Sequence, residues 1–159
     1  MERFPDVLDA LLGGLDDAAW RRRPSDGAWS LVEVLGHLVD EETDDFGTRL
    51  RMTLETPELP WPRFDPQARV RERDFQSRDP AEGLARFRAL RAASVAWLRG
   101  LTDARWDTAH EEAGFPPMPA GDLLASWCAH DARHLEQIGK RLYELAAADA
   151  APYSVLYAG

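Results

Sequence analysis

Apolar residues return every three or four positions along four separate stretches of this chain, a period that admits helices and little else. Phe4, Val7, Leu8, Leu11, Leu12 and Leu15 make the first stripe, with Pro5 suited to a first helical turn, where a missing N–H costs nothing. A loop containing Pro24 and Gly27 is expected from Trp20 to Trp29. Ser30-Leu31-Val32-Glu33 then has capping-box spacing, serine hydroxyl and glutamate carboxylate each satisfying an orphaned backbone N–H. Leu31, Val34, Leu35 and Leu38 continue that second helix, expected to run unbroken to about Leu54. Asp79-Pro80-Ala81-Glu82 repeats a start signal, and Leu84, Phe87, Leu90, Trp97, Leu98 and Leu101 line a third helix. The fourth begins near Ala120 and carries Leu123, Leu124, Trp127, Ile138, Leu142 and Leu145.

Four amphipathic helices in 159 residues predict an all-α fold, one four-helix-bundle domain over residues 1–159. Residues 55–79 hold Pro57, Pro60, Pro62 and Pro66 and form a long crossover. A connection of that length can traverse the bundle, so the second and third helices can point the same way. No apolar run is long enough to span a bilayer, and no cationic leader precedes an apolar one. With Cys128 the single cysteine, a reducing cytoplasm is the expected location. The formal net charge of -9 repels a phosphate backbone, so nucleic acid is not an expected partner and neither is a membrane.

The chemistry rests on histidine. Leu123, Trp127, His130, His134 and Ile138 step by four, three, four and four, which places both imidazoles in the inward stripe, one turn apart. Two imidazoles inside a core are costly unless something satisfies them. His37 shares a row with Val34 and Glu41 at the core edge of the second helix, and can meet the pair only inside the bundle. Facing helices build metal sites in this way, and three imidazoles leave a position open, as in catalytic centres. A competing reading makes each histidine a hydrogen-bonded core residue; spacing alone does not decide between them. Glu41 is a candidate general base or further ligand, whereas Asp40, Glu42, Asp44 and Asp45 read as a solvated face. Asp131 and Gln137 are candidates to orient an imidazole by hydrogen bonding. Cys128 reads as a small packed residue, His110 as an exposed loop residue, and Trp61 and Phe64 as aromatics that pin the crossover or cover a pocket.

Gly27-Ala28-Trp29-Ser30-Leu31-Val32-Glu33-Val34-Leu35-Gly36-His37-Leu38-Val39-Asp40 resembles the second-helix signature of the DinB-like (DinB/YfiT) family. His130-Asp131-Ala132-Arg133-His134-Leu135-Glu136-Gln137-Ile138 is similar to its His-Asp-x-x-His-x-x-Gln-Ile pattern. The resemblance implies a four-helix bundle with a crossover after helix two and one divalent ion (zinc, nickel or iron) on His37, His130 and His134. It also implies a transferase acting on a small-molecule substrate with a low-molecular-weight thiol of the mycothiol or bacillithiol type. A homodimer is the assembly expected. A hydrolase that activates water at the same ion, and a non-enzymatic bundle stapled by its metal, are the alternatives.

Overall fold

The computed structural model describes residues 1–158. Its bundle helices are α1 (Phe4–Leu12), α3 (Leu31–Thr43) continued by α4 (Phe46–Glu55), α6 (Pro80–Gly100) and α7 (Ala120–Asp149). Two short helices, α2 (Asp17–Arg21) and α5 (Pro66–Glu72), lie in the connections. Trp20 thus sits in a helical turn where the sequence suggested loop, because Asp16 caps that turn through Ala19 N–H and the indole is buried in the core.

Direction follows from which residues meet. Leu35 lies against Gly83, and Glu42 against Arg91 and Ser94, so α3 and α6 run parallel. Glu42 also reaches Trp127 and His37 neighbours His134, so α7 runs antiparallel to α3. The crossover is what permits this topology, and it is not bare loop. Asp65 caps α5 by accepting from Gln67 and Ala68 N–H, and a 3-10 turn follows at Phe75–Ser77. Gln76 donates to Ser30 Oγ and Glu33 Oε2 at 2.9 and 3.1 Å, so the crossover is fastened to the capping box that starts α3.

Phe75 lies buried on the bare backbone of Gly36, where an added Cβ would collide with the phenyl ring. Gly36→Ala is therefore expected to lower stability by about 1–3 kcal/mol, the cost of overpacking a filled site. A urea titration checks this, and an unchanged midpoint would show that the Phe75 ring yields freely.

The second helix is not continuous to Leu54. It stops at Thr43, and Asp45 takes φ -120° and ψ -100°, off the helical path, before α4 begins at Phe46. Thr48 Oγ1 donates to the freed carbonyl of Thr43 at 2.6 Å, and a Cβ at Gly47 would collide with the carbonyl of Glu42. A hydroxyl and a glycine thus make the break tolerable in a run whose apolar period alone gives no sign of it. Two cores result. One joins α1, α3, α6 and α7 around Leu8, Leu35, Phe87 and Ile138; the other joins α4 to α7 around Leu50, Leu123 and Trp127. The three histidines described below lie on α3 and α7, the helices that approach one another beside this break.

The α6–α7 connection carries a two-residue antiparallel ladder, β1 (Ala109–His110) with β2 (Met118–Pro119). Thr108 and Trp106 carbonyls accept from Ala120 and Gly121 N–H, so the start of α7 is capped by backbone instead of a side chain. Among the described residues no helix is long and apolar enough to cross a membrane.

Candidate metal centre

α7 and α3 bring His37, His130 and His134 together, with one ring nitrogen from each within 4.8 Å of the others. His37 and His134 are buried and His130 half-buried. His130 Nε2 and His134 Nε2 are 3.1 Å apart. Two nitrogens each about 2.0–2.1 Å from one tetrahedral ion would stand about 3.3 Å apart, so the pair is already near a chelating separation. Gln137 Oε1 lies 2.8 Å from His134 Nδ1. An amide oxygen only accepts, so Nδ1 holds the proton and the Nε2 lone pair is aimed at the cluster. This is the orienting contact anticipated for Gln137. Trp29 and Phe64 flank His37 at ring-centroid distances of 5.0 and 6.5 Å.

The electrostatics favour neutral imidazoles. Burial pushes His37 down to about 3, helped by His134 and His130, and burial pushes His130 down to about 4. His134 is lowered too, chiefly by burial. Glu41 Oε1 lies 3.3 Å from His37 Nε2, and its Oε2 is buried with no hydrogen-bond partner. Burial and the adjacent Asp45 carboxylate push Glu41 up to about 9. Asp45 in turn is ion-paired to Arg49 at 2.7 Å. Glu41 is therefore beside the cluster, as its position one turn from His37 suggests.

In the metal-free protein these shifts make a signed prediction. The unfolded chain protonates its histidines near pH 6.5, while the folded chain keeps His37 and His130 neutral to about pH 3 and 4. The unfolded state thus binds more protons in that window, and stability is lost as pH falls from about 6.5 toward 4. Glu41 acts in the opposite sense, since its folded form holds a proton that the unfolded form releases, and the raised Asp40 and Asp45 carboxyls act with it, while the lowered His134 adds to the other two histidines. Denaturant midpoints measured in chelator are expected to be lower at pH 5 than at pH 6.5; a higher midpoint at pH 5 would contradict the burial described.

Asp131 does not hydrogen-bond to either imidazole. Its two oxygens accept a fork from Arg91 at 2.6 and 2.8 Å, and Arg91 also donates to Glu42 Oε1 at 2.7 Å. Trp127 Nε1 and Ser94 Oγ complete the shell of Glu42 at 3.2 and 2.9 Å. Asp131 is thus bound into a buried ionic strut that joins α3, α6 and α7 behind the histidines. Sequence reasoning missed Arg91 and Glu42, because an arginine among alanines and one acid in an acidic run look solvated. Asp40 is buried as well, held by Arg73 at 2.5 Å, so the acidic face is half interior. Cys128 is exposed rather than packed, and His110 is 4% exposed rather than open to solvent. His110 stacks on Trp61 at 4.2 Å and bonds Pro57 O through Nδ1 at 3.1 Å. A cavity of about 820 Å³ opens beside the cluster, between α4, the crossover and the hairpin; none of the three histidines lines it, but Phe64, which faces His37, does.

Residues 1–138 match the DinB superfamily. A curated relative from Bacillus subtilis (strain 168), named "Putative metal-dependent hydrolase YfiT", is 28% identical over 107 residues, 67% of this chain and 59% of that protein. The aligned region thus spans about three fifths of the relative's length. A solved structure described as "YfiT from Bacillus subtilis is a probable metal-dependent hydrolase with an unusual four-helix bundle topology" superposes with a TM-score of 0.81. It is 21% identical, and the match covers 91% of this chain and 83% of that one, which shows a common fold. With the superfamily match over most of the chain and the bundle architecture in agreement, this protein belongs to the DinB superfamily.

Proposed function

We propose that this protein is a divalent-metal-dependent enzyme whose metal is held by His37, His130 and His134 and whose first activity is hydrolysis. The supporting observation is the convergence of three neutral imidazoles, two buried and one half-buried, within 4.8 Å, one of them locked by Gln137 in the ligating tautomer. Such a donor set suits zinc, nickel or iron, and three ligands leave the shell incomplete. When bound, the ion supplies Lewis acidity and a nucleophile at neutral pH. The residues of the chain do the rest. His134 is kept in register by Gln137, and the strut of Arg91, Glu42 and Asp131 holds α3 and α7 at the spacing the cluster needs. Glu41, kept protonated by burial, with one oxygen on His37 and the other unpartnered, is a proton donor beside the cluster. Trp29 and Phe64 limit water around His37.

Hydrolysis is placed first because a relative carries that description. Thiol transfer is the second reading, supported by a cavity of about 820 Å³ with room for a thiol-bearing co-substrate beside the cluster. Transferase chemistry would use the same open position, since a thiolate is a softer donor than water. Turnover of ester, amide and electrophilic substrates, assayed with zinc, nickel or iron restored and with or without a low-molecular-weight thiol, separates the two. Metal-dependent turnover in water alone is expected. Turnover that appears only with added thiol would move the assignment to the transferase, and none under either condition would sink both.

A further inference from the structure

The cavity beside the histidines has features that neither the metal site nor the crossover's path requires. Its wall includes Trp61, Phe64 and His110 over Arg49, with Phe115 and Met118 at the rim, 71% and 37% exposed. At about 820 Å³ it falls within the range of small-molecule sites. His110 is the informative residue. A main-chain carbonyl only accepts, so the bond to Pro57 O places the proton of the neutral ring on Nδ1. The Nε2 lone pair is left without a hydrogen-bond partner among the described residues, on a side chain 4% exposed that lines the cavity. The Trp61 ring is parallel to it, 17° between planes, and the Trp61 N–H is also buried without an acceptor. The Arg49 guanidinium lies 5.1 Å from the centre of the Trp61 ring and pairs with Asp45, which is beside Glu41, so this wall is tied to the metal cluster's own surroundings. An oriented acceptor on an aromatic wall, open to the cavity, offers one directed hydrogen bond to a ligand's N–H or O–H.

The charges say what kind of ligand. Three arginines and three carboxylates line the cavity, so it has no net charge to offer an ion. Flat aromatic faces favour a planar, unsaturated body. We propose that this cavity binds a neutral, planar small molecule through stacking and a hydrogen bond donated to His110 Nε2. Resting on the reading of the histidine cluster as the reacting centre, this makes the cavity the recognition half of the active site, from which the reacting group passes Phe64 to reach His37.

Calorimetric titration of the metal-loaded protein with indole and with 1-methylindole tests this. The two probes share a planar body and differ in one N–H donor. Indole is expected to bind at least tenfold tighter, about 1.4 kcal/mol. His110→Phe keeps a ring on Trp61 but removes Nε2, and is expected to erase the preference; His110→Gln, which retains an acceptor, is expected to restore part of it. Equal affinities in the unaltered protein, no binding of either probe at millimolar concentration, or a preference that survives in a folded His110→Phe variant would each overturn the proposal. Should His110→Phe fail to fold, the wild-type comparison and His110→Gln still decide it. The same titration on a His130→Ala, His134→Ala variant separates this from the metal reading. An indole preference in wild-type protein that takes up no ion would sink the metal centre alone, whereas metal uptake without the preference would sink the cavity alone.

Discussion

Replacing Arg91 with leucine is expected to lower the stability of the protein by about 3–5 kcal/mol, the largest effect of any single substitution away from the histidines. Arg91 is 2% exposed and serves two carboxylates at once, Glu42 on α3 and Asp131 on α7. Those carboxylates are themselves buried, so removing the guanidinium leaves Glu42 with only Trp127 N–H and Ser94 O–H, and Asp131 with only the Met1 ammonium 3.4 Å away. Arg91→Lys keeps the charge but cannot reproduce the bidentate fork, and should recover only part of the loss. Urea unfolding of both variants measures this. A loss below about 1 kcal/mol for Arg91→Leu would mean that the strut is replaceable by apolar packing, as some buried ion pairs are. Because Asp131 adjoins His130 in sequence and Glu42 adjoins Glu41, the leucine variant is also expected to weaken metal retention.

The second large effect concerns affinity. Sites in zinc-binding peptides are worth about 10–16 kcal/mol over a full ligand set, so one imidazole of three carries about 3–5 kcal/mol, a loss of roughly a few hundred- to a few thousandfold. His130→Ala and His134→Ala are each expected to lower divalent-ion affinity by that much. Glu41→Gln should cost only about 10–100-fold, as contacts behind a ligand usually do, because it alters the partner of His37 and leaves the three imidazoles intact. Competition with a chromophoric chelator gives the ordering. Were Glu41→Gln to match the histidine variants, Glu41 would be a ligand in its own right, and the open position would be narrower than argued.

Much of this was legible in the sequence, for a physical reason. Inward-facing polar residues are rare, so His130 and His134 falling in phase with Trp127 and Ile138 already placed two imidazoles in the core. The capping box at Ser30 and the cap at Asp79 likewise marked true helix starts, because they depend on residues within one turn. What sequence could not show depends on contacts distant along the chain. Glu42 and Asp40 look like solvated acids until Arg91 and Arg73, some 49 and 33 residues away, arrive to neutralise them. His110 looked exposed because its burial depends on Trp61 and Pro57 from the crossover. The break at Asp45 leaves no mark in the apolar period, which runs through it, and only the Thr48 hydroxyl and the bare Gly47 record it.

The central claim is that three imidazoles hold one ion with a position open to an exchanging donor. Cobalt-substituted protein tests it most directly, through its visible absorption before and after addition of a small thiol. The account predicts about one cobalt per chain, absorption typical of a four- or five-coordinate ion, and a new sulfur-to-metal band as the thiol enters. Cobalt that is not retained, or a spectrum unmoved by thiol or by any other small donor, would contradict it.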